Sequence, residues 1–110
     1  MTHPKKNFYD GVIKYNFDEL CDRNLGSEDY ISIANSCTFM FIQNLPDFNE
    51  NNSNQQQRFI TLIDIIYEKR IPLMITSHVN LESINSSKSM NETFKRTVSR
   101  LYELTSIDYN

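Results

Sequence analysis

Residues 56–77 read QQRFITLIDIIYEKRIPLMITS, and two different hydrophobic periods meet inside this stretch. Phe59, Ile60, Leu62, Ile63, Ile66 and Tyr67 recur at the 3.6-residue spacing of one helix face, which predicts an amphipathic helix over 56–70. Ile65 widens the stripe, so this helix is expected to pack on more than one side. After Arg70 the helical period stops. The apolar run IPLMITS (71–77) is short and bounded by polar residues, as a buried strand would be. A helix that feeds directly into a buried strand is half of a β-α-β unit, and the rest of the chain repeats the arrangement.

Upstream, TFMFIQNL (38–45) is apolar almost throughout and is stopped by Pro46, which predicts a strand covered on both faces. GVIKYNF (11–17) is a third β-prone run, opened by Gly11. Between them lies LGSEDYISIANS (25–36), predicted as a helix with Ser27 as N-cap and with Glu28 and Asp29 at the positive end of its dipole. A last helix is predicted over 91–106. The polar run DFNENNSNQQQ (47–57) has no apolar residue but Phe48 and reads as an exposed loop. The order strand, helix, strand, helix, strand, helix predicts an α/β fold: three short parallel strands joined by right-handed crossovers. Residues 1–10 are expected to form a flexible N-terminus and 11–110 a single α/β unit. Three strands are few for a sheet that needs cover on both faces, so the unit is either a small domain or part of a larger sheet.

Composition narrows the function classes. The 110 residues carry 11 Lys and Arg against 14 Asp and Glu, a net charge of −3, which argues against a nucleic-acid binder with a basic patch. No apolar run is long enough to span a bilayer. The lysines near the N-terminus are followed by no apolar segment of a secretory signal, so a cytoplasmic location is expected. Cys21 and Cys37 lack a CxxC partner and read as two reduced thiols. Only two glycines occur, Gly11 and Gly26. A phosphate-binding GxxxxGK[ST] loop needs two glycines five apart followed by lysine, and neither condition is met. The dinucleotide fingerprint fails for the same reason.

The polar candidates are few. On a helical wheel of the last helix, Met90, Phe94, Val98, Leu101 and Thr105 gather on one face, with Arg96, Arg100 and Glu103 opposite. Arg100 and Glu103 are expected to pair on a solvated face. Arg58 opens the 56–70 helix at the end where the dipole disfavours a cation, so it is expected to find a local carboxylate. Asp64 and Glu68, one turn apart, read as solvated, because no third ligand stands at metal-binding spacing. His78 ends an apolar strand, and Cys21 reads as a small buried thiol; no metal site and no catalytic set emerges.

Three segments together carry a family resemblance: FDELCDRNLGSEDY (17–30), RFITLIDIIYEKRIPL (58–73) and FKRTVSRLYELTSIDY (94–109). In order and spacing they resemble landmarks of the ZapE-type cell-division ATPases of bacteria and their mitochondrial AFG-like (lactation-elevated) relatives, from residue 11 onward. The resemblance implies ATP and Mg as cofactors, ATP hydrolysis, roles in cell division or protein quality control, membrane association and oligomeric rings. It also implies that the phosphate loop, the magnesium-binding acidic strand and the sensor strand precede this region. The chain is therefore expected to correspond to the C-terminal third of such an ATPase and to be inactive and cofactor-free alone. Its partners would be the complementary N-terminal ATPase part or other subunits. Arg96, Arg100 and Arg58 are the candidate contacts to nucleotide phosphates held there. Two alternatives stay open: a stand-alone interaction module, or a small independent α/β enzyme using His78, Asp64 or Cys21.

Overall fold

The computed structural model describes residues 6–9 and 11–106, and the side chains of 11–105. Its elements are β1 (Lys6–Tyr9), β2 (Val12–Asn16), α1 (Phe17–Cys21), α2 (Ser27–Asn35), β3 (Phe39–Leu45), α3 (Ser53–Lys69), β4 (Leu73–Ser77) and α4 (Asn91–Ser106). They form a four-stranded sheet in the order β1-β2-β3-β4. As expected for an α/β fold, β2, β3 and β4 run parallel and alternate with helices. The fourth strand adds to the three expected. β1 pairs antiparallel with β2 inside the segment expected to be flexible, while residues 1–5 and 10 lie outside the described residues.

The helix-to-strand junction in the opening stretch is built by backbone geometry. Arg70 adopts the left-handed conformation at φ 56°, and the Ile71 N–H returns to the Ile66 carbonyl at 3.2 Å. This closes α3 as a C-terminal cap and turns the chain into β4. At the start of β2, Gly11 has φ 79°, and its carbonyl accepts from Thr38 N–H at 2.6 Å and Phe39 N–H at 3.2 Å. Any Cβ there would lie 2.5 Å from Thr38 Oγ1, so only glycine lets β3 approach this closely.

Three local expectations need correction. α2 starts one residue earlier than capping by Ser27 would allow: Gly26 is the N-cap, and Asp29 Oδ2 accepts from the Gly26 N–H at 2.9 Å. The polar segment 47–57 is a loop only in part, since Ser53–Lys69 is helical and Gln56 is fully buried. Gln56 is tolerated there because its amide donates to Ser86 Oγ at 2.7 Å and accepts from Ser87 N–H at 3.1 Å. The short helix α1 replaces the end of the expected first strand, and its five residues are too few for a helical period to show.

β2, β3 and β4 follow one another in a single direction, so right-handed crossovers place α2 and α3 on the same side. One core forms there. Ile13, Tyr15, Met40, Ile42 and Leu73 from the sheet meet buried residues of all four helices. Its centre is aromatic: Phe48 stands 5.7, 6.0 and 5.4 Å from Phe17, Phe59 and Phe94 by ring centroids. Tyr30 Oη donates to the Leu20 carbonyl at 2.7 Å, tying α2 to α1. The radius of gyration, 13.1 Å, is that expected of a compact chain of this length (about 13 Å). The opposite sheet face carries Val12, Lys14, Phe39, Phe41 and Met74, all half-buried, and its apolar members take no part in this core. β3 was expected to be covered on both faces; among the described residues, helices cover one.

Candidate functional site

The polar groups concentrate where α4 crosses α3. Arg100 Nη1 pairs with Asp64 Oδ1, and the Arg100 guanidinium carbon lies 4.9 Å from the Tyr67 ring centroid. The Tyr67 hydroxyl donates to Glu103 Oε1 at 3.0 Å. Arg70, just past the end of α3, places its guanidinium at the same 4.9 Å from the ring. Together with Ile65 and Glu68, the residues Asp64, Tyr67 and Arg100 line a cleft of about 340 Å³. Helical spacing accounts for this: positions 64, 67 and 68 share one face of α3, and 100 and 103 share one face of α4.

The expected Arg100–Glu103 pair is therefore replaced by two contacts between helices. Both residues stand at the margin of the α3 contact, and Asp64 is exposed to solvent, as expected, while it pairs with Arg100. Arg58 also departs from expectation. It lies inside α3 rather than in its first turn, and its Nη1 donates to the Cys21 carbonyl at 3.0 Å instead of to a carboxylate. Arg96 is exposed on α4, and its guanidinium has no ion pair or hydrogen bond among the described residues. Of the three candidate phosphate contacts, then, two are engaged within the protein and one faces solvent; the fold does not gather them into one cradle. Tyr67 and Arg70 join the site without a signal in the sequence, because Tyr67 counts with the apolar stripe and Arg70 works through the turn after α3.

The residues considered for independent catalysis are scattered. Cys21 is fully buried in α1, Asp64 is on the surface of α3 and His78 is exposed after β4. No hydrogen bond joins any two of them among the described residues. Burial pushes the Cys21 thiol far up, against the smaller opposing effects of Tyr30 and Arg58, and it raises Cys37 as well. Neither thiol carries the lowered pKa of a nucleophile. Tyr15 is pushed up to about 12, first by burial and then by Glu19 and Cys37.

A second polar cluster fastens the loop before α4 to the turn before α3. Asp47 accepts from Asn85 N–H at 2.6 Å and from Asn85 Nδ2 at 2.8 Å, and Glu50 Oε2 accepts from Lys88 N–H at 2.7 Å. That last bond is the main cause of the lowered Glu50 pKa. The contacts are structural: they close the path from β4 to α4. Among the described residues there is no group of three or more metal-ligating side chains, and no helix is long and apolar enough to cross a membrane. A Mg–ATP cradle does not fit these residues by themselves, since the 110 residues contain no GxxxxGK[ST] and two candidate arginines already have protein partners.

Comparison with known proteins supplies the kinship. The sequence profile of the AFG1-like ATPase family matches residues 4–110. Cell division protein ZapE of Escherichia coli K12 is 28% identical over 98 residues, covering 89% of this chain and 26% of ZapE. Lactation elevated protein 1 homolog B of Danio rerio is 32% identical over 68 residues, covering 62% of this chain and 14% of that protein. The chain thus spans about a quarter or less of these relatives. No solved structure matches it. With nearly its whole length inside the family profile, the chain belongs to the AFG1-like ATPase family.

Proposed function

We propose that this chain is an α/β unit of an AFG1-like ATPase, corresponding to the C-terminal third of its relatives, and that it neither binds nor hydrolyses ATP alone. The observation that supports this is the family match over residues 4–110 in a sequence without a phosphate-binding loop. The nucleotide-binding part comes from the complementary N-terminal region, in the same polypeptide or another. In such an assembly Arg96 is the guanidinium available for a phosphate, whereas Arg58 and Arg100 first have to leave Cys21 and Asp64. A cytoplasmic setting and a cell-division role belong to the same proposal, by kinship with ZapE. Phosphate release from Mg–ATP by the purified chain tests the reading: release at the buffer rate is expected, and turnover that a non-hydrolysable analogue inhibits would overturn it.

A second reading is favoured by the closed core and the radius of gyration of 13.1 Å. The unit is compact enough to act as a preformed interaction module that docks on the ATPase part as a folded body.

A further inference from the structure

The path from β4 to α4, residues 78–90, holds only two single turns of 3-10 helix, Leu81–Ser83 and Lys88–Met90. It is long for a strand-to-helix connection, which commonly takes about 2–6 residues. Its two halves are held differently. Residues 85–88 are bonded to 47–56: Asn85 to Asp47 and Phe48, Ser86 and Ser87 to Gln56, and Lys88 to Glu50. Residues 78–84 reach no further than the last residue of β4. There Val79 N–H donates to Ser77 Oγ at 3.2 Å, and Ser83 bonds only to the Asn80 carbonyl. What ties this half to the fold is packing by Leu81 and Ile84, both half-buried against the core. A cleft lies on either side of Leu81. One, of about 270 Å³, includes Ile84, Phe94 and Val98; the other, of about 260 Å³, includes Ile75, Val79 and Thr105. Leu81 lines both and is the wall between them. No ion pair clamps this wall: Glu82 shares the first cleft with Lys95, but Lys95 pairs with Glu92 at 3.4 Å.

We infer that residues 78–84 form a flap hinged at Ser77 and Asn85, and that Leu81 is the plug dividing one groove along α4 into two clefts. Phe94, Val98 and Thr105 stand on one face of α4, so withdrawal of Leu81 joins the clefts into a groove from Asn91 to Thr105. At 1.5 Å per residue that is a length of about 21 Å. A segment with two half-buried apolar anchors and no hydrogen bond to a neighbouring helix opens far more readily than the core does. Both hinges stand at boundaries, Ser77 at the end of β4 and Asn85 at the first bond to Asp47. Because Asp47, Glu50 and Gln56 hold residues 85–88, opening stops at Asn85 and leaves α4 in place. In the closed state the occupant of the groove is the chain's own Leu81. The inference rests on contacts inside this chain, so the ATPase reading can fail without affecting it.

Methyl relaxation dispersion and saturation transfer on the full chain test this, since they detect minor states exchanging on microsecond to millisecond timescales. A minor state of about 0.1–10% is expected at the methyls of Ile75, Val79, Leu81, Ile84 and Val98, with one common exchange rate. Ile42, Leu62 and Ile63, fully buried in the core, are expected to show none of it. Leu81→Ala removes the plug and should raise the minor population roughly tenfold, with circular dichroism unchanged. Ile31→Ala, on the exposed side of α2, should leave it as it is. Should Leu81→Ala loosen the whole chain, Asn85→Ala decides, because it weakens the far hinge by one bond to Asp47 and should also raise the population. Flat profiles at these methyls in the wild type and in both variants overturn the inference. So does a minor state that the core methyls share at the same rate, which would be opening of the whole unit.

Discussion

Arg100 on α4 pairs with Asp64 on α3, and the same guanidinium lies over Tyr67, one turn along from Asp64. The helix that carries two of the candidate arginines is thus held to α3 by one of them. The side chains of Arg100 and Asp64 are 30% and 51% exposed, so solvent weakens the pair. Arg100→Ala is expected to cost about 0.5–1 kcal/mol, the ion pair and the cation–π contact together, and Asp64→Asn, which leaves the cation–π contact in place, only a few tenths of a kcal/mol. A double-mutant cycle by urea unfolding should give a coupling of a few tenths of a kcal/mol that shrinks in high salt. Zero coupling at low salt would mean the pair does not hold the helices together.

Arg58 fastens the first half of α3 to the end of α1 through the Cys21 carbonyl. Arg58→Ala leaves that carbonyl unsatisfied in a part-buried place and should cost about 1–3 kcal/mol. Arg58→Lys keeps the charge but not the planar fork, and is expected to recover less than half of the loss. Thiol labelling gives an independent readout, since loosening α1 should speed modification of Cys21. Wild-type stability in Arg58→Ala would show the contact to be incidental.

Buried acids set the alkaline limit. Burial raises Cys21, Cys37, Tyr15 and Tyr30, so the folded state keeps protons that the unfolded chain gives up at ordinary thiol and phenol values, about 8.5 and 10. More protons are then bound folded than unfolded. Stability is full below those ordinary values and falls as pH rises through and beyond them. The urea midpoint should be lower at pH 10.5 than at pH 7. A midpoint that holds at alkaline pH would mean that these groups ionise in the folded state as easily as in the unfolded one.

Gly11 decides how closely β2 and β3 begin. At φ 79°, and with a side-chain methyl brought to 2.5 Å from Thr38 Oγ1, alanine meets both backbone strain and a clash. Gly11→Ala is expected to destabilise by about 1–3 kcal/mol. Gly26, where a Cβ would meet nothing within 4 Å, is the control: Gly26→Ala should cost no more than about 1 kcal/mol. Equal costs at the two positions would contradict the close approach of Thr38.

What can be read from sequence follows from the range of each interaction. The stretch 56–77 carries its own period, so most of α3 and β4 are legible from neighbouring residues. The parallel order follows from alternation, and the kinship from three spaced segments. The first turn of α3 is hidden because asparagine and glutamine give no period, although buried Gln56 depends on Ser86 and Ser87, 30 and 31 residues away. Arg100 and Asp64 are 36 positions apart, and Arg58 binds a backbone carbonyl that no residue type announces. The sheet face that no described helix covers is invisible for another reason. Alternating and continuous apolar strands look alike when half-buried phenylalanines occupy the open side.

The central claim is that this member of an ATPase family has no nucleotide site complete within its own 110 residues. Isothermal titration of the purified chain with Mg–ATP tests it most directly. No saturable heat is predicted up to about 1 mM nucleotide, a limit of weak binding. Stoichiometric binding in the micromolar range, lost on Arg96→Ala, would contradict the account.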